Sequence, residues 1–219
     1  RFCNIRSVRN EAERTSYREI IMIFDRNIPG TSEILQKKCV AVAGCGGLGS
    51  NIAIALVRSG VGNLIIADFD KVETSNLNRQ QYLFEDIGKL KASTLATHLK
   101  KINPEISVKV VEKKLEPSDI KDQFSQADIM IEAFDAASSK LWLIESWTEA
   151  FPERPIVVGS GMSGLGKFED IHVRKAGNLY ICGDEKSEMT QGLMAPRVAI
   201  VANLQAMTAI EILLRKNNL

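Results

Sequence analysis

Gly44-Cys45-Gly46-Gly47-Leu48-Gly49 forms a GxGxxG pattern directly after the apolar run Cys39–Ala43. Glycines let the backbone approach a phosphate closely, and a helix starting there offers N–H donors and the positive end of its dipole. Asp68 lies 19 residues beyond Gly49, at the end of a second apolar run, where an acid accepts hydrogen bonds from ribose hydroxyls. The pattern supports nucleotide binding. Taken alone it favours a dinucleotide enzyme.

The stretch Asp68-Phe69-Asp70-Lys71-Val72-Glu73-Thr74-Ser75-Asn76-Leu77-Asn78-Arg79-Gln80 argues for ATP. A hydride-transfer enzyme has no evident use for it, whereas a triphosphate needs fixed cations. Arg79 supplies a forked donor and Lys91 a point charge. Asp70 and Asn76 are further candidate nucleotide contacts, Asn76 through hydrogen bonds at the phosphate tail. Asp135 follows the apolar run Ile129–Ala133, at the carboxyl edge where such sheets bind ligands, and a carboxylate there suits Mg²⁺ held jointly with phosphate oxygens. Each residue also has a plain reading: Arg79 and Lys91 as solvated surface charges, Asp135 as a helix cap. The ordered combination favours the site.

The elements that must position these residues are visible as apolar runs. Strands are expected at Cys39–Ala43, Asn63–Ala67, Ser107–Val111, Ile129–Ala133 and Ile156–Val158. Helices are expected near Ser7–Phe24, Gly49–Ser59, Lys89–Ile102, Ser118–Phe124, Ser138–Ala150 and Pro196–Leu214. Strand alternating with helix predicts a doubly wound, mainly parallel, Rossmann-like α/β fold. Glycines after Gly159 and the segment Phe168–Val173 predict an antiparallel C-terminal edge. An N-terminal helical segment (1–35) is expected to precede one ATP-binding domain (36–219). The polar stretch Lys71–Asp86 is too long for an idle connection.

Gly44–Ser50, Asp68–Gln80, Lys91 and Asp135 together resemble the signature of the ThiF/MoeB family, relatives of the ubiquitin-activating enzymes. The resemblance continues through Gly192-Leu193-Met194-Ala195-Pro196 and Leu204-Gln205-Ala206, and the short chain is similar to the ThiF-like branch of thiamine biosynthesis. It implies an adenylyltransferase that uses ATP and Mg²⁺ on the C-terminal Gly-Gly carboxylate of a small ubiquitin-like sulfur-carrier protein. It also implies a homodimer in which an arginine, here Arg18, reaches the neighbouring subunit's ATP site. Many relatives carry two CxxC pairs for zinc; Tyr180-Ile181-Cys182-Gly183-Asp184 retains one cysteine at the place of the first, so no zinc is expected. Cys182 reads as a partly buried structural thiol in preference to a reactive one, Cys45 as a small filler in the phosphate loop, His98 and His172 as structural, and Trp142 and Trp147 as helix packing.

Composition sets the outer bounds. The 219 residues are 45% hydrophobic and 25% charged, with 28 Lys+Arg against 27 Asp+Glu for a net charge of +1. That balance gives no global attraction to nucleic acid or to a membrane surface. No unbroken apolar run approaches the ~18 residues of a transmembrane helix, and the widely spaced Cys3, Cys39, Cys45 and Cys182 match no disulfide framework, which points to a reducing cytoplasm. Three rival readings remain: a tRNA-modifying dehydratase of the same superfamily, an NAD-dependent dehydrogenase, and a non-catalytic binding subunit.

Overall fold

The protein is described from a computed structural model covering residues 23–215. Arg18, Cys3 and nearly all of the helix expected at Ser7–Phe24 lie outside the described residues, and Ile23 and Phe24 form part of a turn.

Five strands form where the sequence is most continuously apolar: β1 (Cys39–Ala43), β2 (Asn63–Ala67), β3 (Ser107–Val111), β4 (Ile129–Glu132) and β5 (Ile156–Gly159). They pair in parallel, and two further strands, β6 (His172–Ala176) and β7 (Leu179–Gly183), complete a sheet of order β3-β2-β1-β4-β5-β7-β6. β7 runs parallel to β5 and antiparallel to β6, with Arg174 opposite Ile181. The antiparallel edge thus begins later than the expected Phe168–Val173, where residues Phe168–Asp170 form a 3₁₀ turn instead. β6 is exposed along its whole length.

Helices cover both faces. α1 (Thr31–Leu35), α2 (Gly47–Arg58), α3 (Lys91–Ile102) and α6 (Ala195–Arg215) share one core; α4 (Asp119–Phe124) and α5 (Ala137–Ala150) share the other. Alternation along β1 feeds both: Val40 and Val42 enter the first core, Ala41 and Ala43 the second. This two-sided burial is why the strands read as unbroken apolar runs rather than alternating ones. α6 is long and apolar enough to cross a membrane by length and composition alone. Its apolar residues are accounted for by packing: Val198, Val201, Ala202, Ala209 and Leu213 are buried in the first core, and α6 lies against α2.

The chain winds outward from β1 to β3, then returns to place β4 on β1's other side. That reversal opens a crevice at the carboxyl ends of β1 and β4, the usual ligand position of such sheets.

Candidate active site

The glycine loop lies in that crevice. Gly44 has φ 99°, and a Cβ there would lie 2.6 Å from the Ala133 carbonyl oxygen, so only glycine fits against the end of β4. A Cβ on Gly49 would lie 1.8 Å from the Gly44 carbonyl oxygen. Gly49 therefore packs the helix onto the loop. Gly46 and Gly47 meet side chains rather than backbone: a Cβ on Gly46 would lie 3.6 Å from Gln80, and one on Gly47 3.3 Å from Val198 and 3.6 Å from Arg79; Gly46 begins α2 without a side-chain cap. The first-turn N–H groups of α2 are thus available to an anion.

Asp68, at the end of β2, holds the loop from the other side. Its Oδ2 accepts the Cys45 N–H at 2.7 Å and its Oδ1 the Asp70 N–H at 2.8 Å. Burial raises its carboxyl above the ordinary range, opposed by those two N–H groups and the Lys91 charge. Tyr82 fastens the loop to α3. Its hydroxyl stands 2.8 Å from the Cys45 carbonyl oxygen and 3.2 Å from that of Lys91, and the ring is buried. Lys91 is the first residue of α3; its mostly buried side chain reaches Asp70 Oδ2 at 3.2 Å. Arg79 leaves the second half of the long polar stretch, with Nη1 donating to the Ser75 carbonyl at 3.1 Å and Asn78 Oδ1 at 2.7 Å.

A cavity of about 630 Å³ brings together Gly44, Gly46, Gly47, Asp68, Asp70, Arg79, Lys91 and Asp135. Asp135 is exposed and does not cap α5, whose N-cap is Ala136 with no side-chain bond. Two candidates are not brought to the cavity wall. Gly49 lies behind the loop, and Asn76 is buried with its Oδ1 accepting the Glu73 N–H at 3.2 Å, where it caps a 3₁₀ turn. A short polar side chain at the third position of such a turn satisfies local backbone more readily than a distant ligand.

Several wall residues have no spacing signal in the sequence. Trp142 packs against the second core, its ring 5.9 Å from that of Phe134, and also lines the cavity; Trp147 is fully buried, donating to the Arg154 carbonyl at 3.2 Å. Gln80 lines the cavity with a buried, unpartnered Oε1. Lys140 lines it too, its ammonium 2.9 Å and 3.0 Å from the two oxygens of the buried Glu132. The far wall comes from Ser187, Glu188, Met189 and Leu193, beyond β7. That segment is anchored by Asp184, which accepts the N–H groups of Lys186 and Ser187 at 2.8 Å and bonds Arg197 at 2.5 Å. Burial works against the charged Asp184, but these donors prevail and lower its carboxyl to about 2. Cys182 is buried within β7 beside Thr208, and burial pushes its thiol up to about 11, out of nucleophilic range. His98 pairs with Asp86 at 3.2 Å and His172 with Glu185 at 3.3 Å.

Residues 17–219, nearly the whole chain and every cavity residue named above, match the ThiF family. The chain belongs to the ThiF family. Among curated members, this ThiF-family chain is 27% identical over 211 residues to the sulfur carrier protein ThiS adenylyltransferase of Escherichia coli K12, covering 93% of this chain and 83% of that protein. It is 28% identical over 212 residues to the molybdopterin-synthase adenylyltransferase of the same organism, covering 93% and 84%. A solved structure of E. coli tRNA N6-threonylcarbamoyladenosine dehydratase in complex with ATP shares the fold, with TM-score 0.80 over 97% of this chain and 99% of that one at 22% identity.

Proposed function

We propose that this protein is an ATP-dependent adenylyltransferase acting on the C-terminal carboxylate of a small, ubiquitin-like sulfur-carrier protein with a Gly-Gly tail. One observation carries the reading: a single cavity is lined by an uncapped helix N-terminus, by Arg79 and Lys91, and by the exposed carboxylate of Asp135. Its 630 Å³ falls within the roughly 300–1,000 Å³ of small-molecule sites. The similarity to two carrier-directed adenylyltransferases over most of their length supports the same substrate class.

The residues present fit ATP. Backbone N–H groups at Gly46 and Gly47 meet phosphate oxygens, Asp68 the ribose, and Arg79 and Lys91 neutralise the phosphate chain. The Asp135 carboxylate has no hydrogen bond or ion pair among the described residues, which suits a hard cation. Among those residues no three His, Cys, Asp or Glu gather as a metal cluster, so Mg²⁺ would rest on Asp135 together with phosphate oxygens, supplying further charge neutralisation.

The carrier's carboxylate is already ionised at neutral pH, so no general base is needed. One of its oxygens forms a bond to the α-phosphorus, the bond to the bridging oxygen breaks, and pyrophosphate departs with that electron pair, leaving an acyl-adenylate. Catalysis then rests on positioning and on fixed positive charge. In this reading the enzyme is a cytoplasmic homodimer, Arg18 serves the partner's site, and the carrier is of the ThiS kind.

The test is exchange of labelled pyrophosphate into ATP, screened across Gly-Gly-tailed carriers. A carrier that stimulates exchange supports the reading; stimulation by a modified tRNA alone, or by none of the substrates, sinks it. Asp135→Ala is expected to abolish exchange nearly completely while ATP still binds. Wild-type exchange in that variant would remove Asp135 from the mechanism.

A further inference from the structure

Glu132 is the last residue of β4, on the same strand face as Met130, and its side chain has 0% exposure. An acid buried on a sheet's core face is unfavourable unless well paired, and replacing such a pair with apolar residues is often neutral or stabilising. Stability alone therefore does not account for it. The Gly159 backbone also bonds it, but its closest partners flank Asp135: Oε1 accepts the Phe134 N–H at 2.5 Å, and both oxygens hold the Lys140 ammonium, at 3.0 Å and 2.9 Å.

With Ala136 as N-cap of α5, Asp135 takes the position before the cap and Lys140 the fourth helical position. Side chains at those two positions are the ones that meet across a helix entrance. Lys140 is thus placed to pair with Asp135, and both line the cavity. Its ammonium instead turns to Glu132, and Asp135 is left exposed without an ion pair among the described residues.

We propose that Glu132 is a positioning residue that sequesters Lys140, keeping the Asp135 carboxylate unpaired and ready for a divalent cation. This rests on the reading of Asp135 as the cation-holding residue. Removing the Glu132 charge would release Lys140 to Asp135, and the lysine would then compete with the cation. Removing the lysine as well would restore access.

The experiment titrates Mn²⁺ into the full chain with α,β-methylene-ATP, following free Mn²⁺ by electron paramagnetic resonance. Glu132→Gln is expected to weaken Mn²⁺ binding about tenfold, and Glu132→Gln/Lys140→Met to return it to within about threefold of wild type. Wild-type affinity in Glu132→Gln, or a double variant no tighter than the single one, overturns the proposal, because a merely structural pair gives no recovery on the second substitution. Should Glu132→Gln fail to fold, Glu132→Asp and Glu132→Asp/Lys140→Arg replace it. The longer arginine recloses the shortened pair, so the double variant is expected to bind Mn²⁺ more tightly, and equal affinities refute the idea. Asp135→Asn separates the two layers. If it binds Mn²⁺ as wild type does, the reading of Asp135 fails; if it is weakened while Glu132→Gln is not, only the sequestration fails.

Discussion

Replacing Tyr82 with phenylalanine removes one oxygen atom and tests how the phosphate loop is held. The ring is 5% exposed, and its hydroxyl lies between the carbonyls of Cys45 at 2.8 Å and Lys91 at 3.2 Å. Burial pushes the phenol above its ordinary range, so the hydroxyl stays protonated and donates. It has a single proton, so one strong bond is at stake, chiefly the shorter one to Cys45. Cys45 is fully buried, and in the variant its carbonyl loses this donor. Leaving a buried acceptor unsatisfied costs ~1–3 kcal/mol. Taking about 2 kcal/mol, and ~2–4 °C per kcal/mol for a domain of this size, Tm should fall by about 4–8 °C. The same bond holds the loop to the segment that leads into the helix presenting Lys91, so ATP should bind about three- to tenfold more weakly. Thermal unfolding by circular dichroism and calorimetric titration of ATP measure both. A Tm within about 1 °C of wild type, with unchanged ATP affinity, would refute the claim that this hydroxyl joins loop and helix.

Gly49→Ala should not yield folded protein, because its Cβ would lie 1.8 Å from the Gly44 carbonyl oxygen; a soluble variant with native near-ultraviolet dichroism contradicts this. Lys91→Met should lower carrier-dependent pyrophosphate exchange about a hundredfold, the equivalent of ~3 kcal/mol, and a loss under fivefold would exclude Lys91 from charge stabilisation. Asp184 is held at about 2 against an ordinary 3.8, so its stabilisation is complete above about pH 4 and is lost as pH falls towards 2. Acid unfolding followed by fluorescence should therefore be steeper in that window for wild type than for Asp184→Asn, by about 2 kcal/mol in total; parallel curves would show that the Ser187 and Lys186 N–H groups and Arg197 do not together hold the acid down.

The inner strands were legible because each is buried on both faces: Val40-Ala41-Val42 and Ile129-Met130-Ile131 leave no polar position in between. The glycine loop, Asp68, Arg79, Lys91 and Asp135 were legible through type and order along the chain, and one cavity gathers them. β7 was missed because Leu179-Tyr180-Ile181-Cys182 is a run of only four apolar residues between Asn178 and Gly183, too short by itself to separate a strand from a helix segment. β6 has no apolar face at all, and its pairing with β7 is what makes it a strand. The Glu132–Lys140 pair was invisible because a strand end and a helix turn meet only once the chain reverses at Asp135. Asn76 misled for the opposite reason: its neighbours reach the cavity, whereas its own amide is engaged by the adjacent backbone.

The outermost strand has a consequence for how copies of this chain tolerate one another. β6 offers an open row of amide and carbonyl groups to any passing extended segment, the template on which proteins aggregate. Its His172-Val173-Arg174-Lys175-Ala176 sequence places adjacent basic residues along that border, and Arg174 is clamped to Glu185 by three bonds of 2.6–3.2 Å. A second identical border would bring like charge against like charge and meet a side chain that is already committed. The strand that contributes least to the interior thus serves as a guard rail, discouraging edge-to-edge pairing of sheets at high concentration.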